Sequence, residues 1–161
     1  MTAEAARVSR RADGRFDVEL PPAERELLRT LPASMRRALA EGRPDDDPGL
    51  ARLNPKAYPD DSEFEAEYRD LIGNELNAGR LAAFETLEAT ADEPTLDEPQ
   101  LQAWMRAIND TRLLLGSRLN VTEDPTDRDV PDTHPDAQAI AIYDYLSWLE
   151  EQVVEALAEA L

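Results

Sequence analysis

Histidine occurs once in these 161 residues, at His134, and cysteine does not occur at all. No serine sits in a glycine-flanked elbow, so a nucleophile–base–acid triad has nothing to be assembled from. A glycine-rich phosphate loop is absent too. Asp127, Asp129 and Asp132 have the spacing of a fragment of a calcium loop. The glycine of its sharp turn and its terminal glutamate are missing, which makes the stretch a solvated loop. With 35 acids in the chain, close carboxylate pairs arise by number alone and single out no general acid or base. No cofactor and no metal site is expected, and the residue types point to recognition, not catalysis.

Two places could carry recognition. In the run WMRAINDTRLLLGSRLNVTED, Arg112 lies four residues after Ile108 and three before Leu115, inside an apolar helical stripe. A guanidinium there must snorkel to water or find carboxylate and carbonyl oxygens. Asn109 and Gly116 lie on the same side, and glycine lets a neighbouring backbone approach closely. One reading is a structural polar network of Asn109, Asp110, Arg112, Arg118 and Asp144, with Asp110 or Asp144 as the counter-ion. The other is a recognition spot for a partner's carboxylate or carbonyl groups, using Asn109 and Arg112. The second place is Trp148, about 140° from the core stripe of the last helix at 100° per residue, with Tyr145 at its flank. Such a tryptophan either packs under a loop or the hairpin, or marks a partner-binding surface.

The elements that must position these residues are mostly helices. Phe16, Val18 and Leu20 alternate after Asp13-Gly14, a dipeptide that tolerates positive φ, so residues 6–20 read as a β-hairpin. Pro21-Pro22 opens a helix with its apolar face on Leu27, Leu28, Leu31, Met35, Ala38 and Leu39. Pro32 should kink or split it, and Gly42 should end it. Ser62 with Glu65 reads as the capping box of a long helix running through Phe64, Tyr68, Leu71, Ile72, Leu76, Leu81, Phe84 and Leu87. Gly73 and Gly79 weaken that helix slightly. Residues 90–97 read as a linker. Asp97 caps the next helix, with its stripe on Leu101, Trp104, Met105, Ile108, Leu115 and Leu119. An acidic, proline-rich loop at about 120–135 follows, and Pro135 opens the last helix. That helix has its core stripe on Ile142, Leu146, Leu149, Val153 and Leu157. The expectation is a single mainly α domain over 1–161: residues 1–5 disordered, a hairpin at 6–20, and a bundle of four to five helices over 21–161.

Charge narrows the partners. The net charge is −18 and is uneven: residues 1–43 hold nine arginines against seven acids, and residues 44–161 hold eight basic residues against 28 acids. A body this acidic repels phosphate backbones, so general nucleic-acid binding is not expected. Arg7, Arg10, Arg11 and Arg15 could touch a phosphate, but a solvated basic hairpin explains them as well. The arginines of the first helix (Arg25, Arg29, Arg36 and Arg37) are interspersed with Glu24 and Glu26 and make no DNA-reading surface. No apolar run reaches membrane-spanning length and no signal-peptide pattern is present, so the chain is expected to be cytoplasmic. A protein partner is expected, and a homodimer is compatible with the sequence.

The run from Trp104 to Asp124, with Asn109-Asp110-x-Arg112-Leu113-x-Leu115-Gly116-x-Arg118-Leu119 at its centre, resembles an actinobacterial family of formerly unknown function. That family includes the oxidative-stress regulators of actinomycetes. The later Ile142-Tyr143-Asp144-Tyr145-Leu146-Ser147-Trp148-Leu149 run and the stretch DPGLARLNPKAYPDD share the likeness, which extends over nearly the whole chain. The resemblance implies a non-enzymatic, transcription-associated regulator that contacts RNA polymerase or a sigma factor and raises cysteine-biosynthesis and antioxidant genes. Redox-sensing members use cysteine thiols, and this chain has none. A general protein-binding adaptor without a transcriptional role is the alternative.

Overall fold

The computed structural model describes residues 6–41, 63, 74–119 and 136–159. Strands β1 (Val8–Arg10) and β2 (Phe16–Val18) pair antiparallel, with Val8 opposite Val18 and Arg10 opposite Phe16. The turn between them works as its residues require. Gly14 takes φ 85°, the left-handed region that glycine enters without a Cβ clash. The Asp13 carboxylate accepts from the Arg15 backbone N–H at 3.0 Å. Val8, Phe16 and Val18 turn inward and are buried.

The stretch expected to be a linker contributes a third strand. Thr95–Leu96 forms β3 on the free edge of β2, with Leu96 opposite Phe16 and fully buried. Two residues are too short for an alternation signal, and their partner is some eighty residues away, so local pattern could not show this pairing.

Helix α1 (Pro22–Glu41) runs for 20 residues with Pro32 inside it, so of the kink or split expected there the split does not occur. Proline removes one intrahelical hydrogen bond, and buried Leu28 and Met35 hold the chain in the helix on either side. Helix α2 (Asn74–Thr90) buries Ala83, Phe84 and Leu87, while Leu81, expected in the same stripe, is 39% exposed. The Ser62–Glu65 capping box and the stripe from Phe64 to Leu76 lie outside the described residues. The same holds for the acidic loop and for Gly42.

Helix α3 (Glu98–Arg118) begins at a full capping box. The Asp97 carboxylate accepts from the Gln100 N–H at 2.8 Å, the Gln100 side chain accepts from the Asp97 N–H at 2.9 Å, and Pro99 occupies the first turn. Its core residues are Leu101, Trp104, Ala107, Ile108 and Leu114; Leu115 is only partly buried. Helix α4 (Ala137–Ala158) buries Leu146, Leu149, Val153 and Ala156, with Ile142 and Leu157 at the margin of the core. Among the described residues each helix packs on the next in sequence, and β1 packs on α4. The fold is mainly α: among the described residues, four helices with a small three-stranded antiparallel sheet.

A single guanidinium joins the sheet to the helices. Arg25, near the start of α1, donates to the carbonyl oxygens of Val18 (2.8 Å), Leu20 (3.2 Å), Ala91 (2.9 Å) and Glu93 (3.1 Å). It thereby ties β2, the entry to α1 and the α2–β3 turn to one side chain. Arg29 with Asp92 and Arg36 with Glu88 add ion pairs along the same α1–α2 seam.

Gly79 allows a stabilising test. It lies inside α2, and the nearest atoms a methyl group there would meet belong to the guanidinium of the exposed Arg106, 2.9–3.2 Å away at the tip of a flexible side chain. Gly79→Ala is therefore expected to raise the unfolding free energy by about 0.5–1 kcal/mol, measured by urea denaturation, because alanine restricts the unfolded chain and favours helix. A decrease would mean that Arg106 is held in place.

Candidate functional site

Helices α3 and α4 form the seam that carries most of the candidate residues. Arg112 is placed on α3 by the apolar stripe around it and reaches across to α4. Its Nε donates to the Ser147 hydroxyl at 2.9 Å, its Nη1 pairs with the Glu150 carboxylate, and its guanidinium lies 5.6 Å from the centre of the Tyr143 ring. The Ser147 hydroxyl in turn donates to the Tyr143 carbonyl at 2.9 Å, which fixes its orientation. A turn further along, the Tyr143 ring lies against Gly116, where a Cβ would come within 3.0 Å of it. The close approach that glycine permits here is to an aromatic ring, not to a backbone.

The counter-ion expected at Asp110 or Asp144 is Glu150. Asp110 lies about 200° round the helix from Arg112 and faces α2, where it pairs with Arg80 at 3.5 Å. Asp144 is exposed on α4, the Arg118 side chain lies outside the described residues, and Asn109 lines the outer groove. The structure thus divides the expected network between two faces of α3. Glu150 was missed, although it lies three residues from Ser147 and so shares its side of the helix. If Arg112 is structural, Arg112→Ala should lower the unfolding free energy by about 1–2 kcal/mol, because Glu150 would lose its charged partner. An unchanged thermal midpoint would refute that.

Burial raises the Asp110 carboxyl above its ordinary value of 3.8, against the opposing pull first of Arg80 and then of Arg106. The folded state holds this proton more tightly than the unfolded chain does. Its contribution to stability is therefore fully present below the ordinary carboxylate value and lost as pH rises through the raised folded value. Urea denaturation from pH 4 to pH 7 should show stability shifting in favour of Asp110→Asn over the unmodified chain as pH rises. A difference independent of pH would contradict this assignment.

Tyr145 and Trp148 turn toward the hairpin and α1. Their ring centres are 6.1 Å apart, the Arg7 guanidinium lies 5.6 Å from the Trp148 ring centre, and the Tyr145 hydroxyl donates to Glu24 at 3.0 Å. Burial first, and then the neighbouring Glu24, push the Tyr145 phenol upward, so it remains a donor. Arg7 also approaches Glu24 at 3.7 Å, and its backbone N–H donates to the Gln152 side chain at 3.2 Å. Trp148 remains half-buried against the core with one edge open.

That edge opens on a shallow depression floored by Arg112, Ser147 and Glu150 and bounded by Glu151 and Val154. Beyond Val154 it continues as a groove of about 720 Å³ between α3 and α4, walled by Met105, Asn109, Val154, Leu157 and Ala158. Val154 is 45% exposed. Among the described residues no three metal-ligating side chains converge, and no helix is long and apolar enough to cross a membrane. His134 and the aspartates at 127, 129 and 132 lie outside the described residues. In the hairpin, Arg11 is paired with Asp13 and Asp17, and Arg15 donates to Thr95 at 3.4 Å.

The chain belongs to the family described as a domain of unknown function, DUF2017, matched over residues 3–157. It is similar to the oxidative stress regulator AosR of Mycobacterium tuberculosis and of Mycobacterium bovis, 31% identical to each over 188 aligned residues covering 94% of this chain and 86% of the relative. A Mycobacterium leprae protein that carries the same name provisionally is 35% identical over 129 residues, 70% of this chain and 59% of its own length. No solved structure matches the chain.

Proposed function

We propose that this protein is a non-enzymatic regulator of the oxidative-stress response that acts through protein–protein contacts with the transcription machinery, a sigma factor or RNA polymerase. The observation that carries the regulatory role is its likeness, over 94% of its length, to proteins named oxidative stress regulators. Contact with the transcription machinery is the finer part of the reading. Its support is electrostatic: residues 44–161 hold 28 acids against eight basic groups, a charge that suits docking on basic nucleic-acid-binding proteins in place of the nucleic acid. These residues contain no cysteine, so any dependence of the complex on peroxide does not come from a thiol among them.

The test is affinity capture from host lysate with and without peroxide, read by mass spectrometry. Enrichment of a sigma factor or polymerase subunits over an unrelated protein of equal charge is the expected result. Capture of neither would leave a general adaptor as the better description.

A further inference from the structure

Helix α4 carries four acids, Asp144, Glu150, Glu151 and Glu155, and no lysine, arginine or histidine. Glu150 is occupied by Arg112. Among the described residues Glu151 and Glu155, on the exposed side of the helix, have no cation within ion-pair distance, and neither does Glu98 at the far end of the groove. Arg106 also lines the groove, with its guanidinium beside Gly79 on α2. Met105, Val154 and Leu157 give the groove its apolar lining, with Val154 nearly half exposed. Glu98 lines the same groove and accepts from the Gln102 side chain at 3.3 Å, Glu151 lines the adjoining depression, and Glu155 follows Val154 on the exposed side of α4. From Glu98 to Arg112 the groove follows α3 for about 20 Å, room for roughly four turns of a docked helix.

From this arrangement we infer that the α3–α4 groove receives a basic amphipathic helix of a protein partner. Its apolar stripe covers Val154, Met105 and Leu157, and its lysines or arginines meet Glu98, Glu151 and Glu155. The inference rests on the reading of the protein as one that works by protein contacts, and it names the site and the chemistry of the occupant. A second copy of the chain does not fit the same face. A two-fold contact centred between Glu151 and Glu155 of α4 would set Glu151 of one copy against Glu155 of the other, a like-charge juxtaposition that opposes association.

The test uses two synthetic 18-residue helical peptides with one leucine stripe. One is flanked by lysine and arginine and the other by glutamate at the same positions, and fluorescence anisotropy with the full chain at low salt reads their binding. The basic peptide is expected to bind saturably and the acidic one at least tenfold more weakly. Val154→Asp is expected to weaken the basic peptide at least tenfold. The double variant Glu151→Lys/Glu155→Lys should reverse the order of the two peptides. All three substitutions are at exposed positions, and circular dichroism verifies that the variants fold. Equal binding of both peptides, no saturable binding of the basic one, or indifference to the double variant would overturn the proposal. A concentration-dependent dimer abolished by Val154→Asp would likewise overturn it by assigning the face to a second copy. If the double variant still captured the transcription machinery from lysate as well as the unmodified chain, the groove would be refuted and the regulatory reading would stand.

Discussion

Trp104→Ala is expected to lower the unfolding free energy by about 3–5 kcal/mol, enough to unfold much of a marginally stable domain at ambient temperature. The Trp104 side chain is fully buried on α3, and its indole N–H donates to the Thr90 hydroxyl at 2.7 Å at the end of α2. That hydroxyl in turn donates to the Thr86 carbonyl at 2.6 Å, so the indole closes a short chain of hydrogen bonds that locks α2 to α3. Alanine would leave a cavity and strip the hydroxyl of its donor in the same step. Trp104→Phe separates the two losses. It keeps most of the ring volume and should recover all but about 1–2 kcal/mol, the share of the hydrogen bond and of imperfect filling. Urea denaturation of the three chains measures both. A cost below about 1 kcal/mol for alanine would mean that α2 and α3 are held together by something other than this side chain.

The second large effect is expected at Arg25, where alanine should cost about 2–4 kcal/mol. Its guanidinium satisfies four backbone carbonyls from three separate segments, and hydrogen bonds to a charged donor are the stronger kind. Partial exposure tempers the loss, since water can reach some of the freed oxygens. Arg25→Lys should recover less than half, because an ammonium on a flexible stem cannot reproduce a planar fork directed at several acceptors. The loss should also be local. Strand β3 is held at its start by the Val18 N–H on the Pro94 carbonyl at 2.8 Å, and Arg25 grips the turn just before it through Ala91 and Glu93. Hydrogen exchange at Leu96 and Val18 should therefore accelerate more than exchange in α4. Uniform acceleration through the chain would indicate a merely global destabilisation.

Much of the fold was legible in the sequence, for local reasons. Asp13-Gly14 names its hairpin because only a residue tolerant of positive φ suits that turn. Asp97 names the start of α3 because a carboxylate at that position caps free N–H groups. The spacing of Leu146, Leu149 and Val153 places one face of α4 in the core because residues three and four apart share a side of a helix. The misses have a common physical cause: each depended on a partner remote in the chain. The 90–97 stretch became a strand because β2 offered an edge. Leu81 stayed largely at the surface because a place in the stripe does not by itself supply a neighbour to cover it. Pro32 did not split α1, the stronger of the two effects expected of it, because packing on either side outweighed one missing hydrogen bond.

The candidate site divides along the same line. That Arg112 would need oxygens followed from its place in an apolar stripe, since a guanidinium cannot be left unsatisfied there. That those oxygens belong to Ser147 and Glu150, with Asp110 turned to Arg80 instead, was decided only when α3 and α4 came together. That Trp148 lies off the core stripe is a property of helical periodicity. That Arg7 covers one side of it while the other opens on a groove is a property of where the hairpin docks. By itself the sequence determined which residues share a face and what charge each face carries, because covalent order and backbone geometry set those. Which faces meet, and which groove is left open between them, only the tertiary structure decided, because those depend on contacts between residues dozens of positions apart.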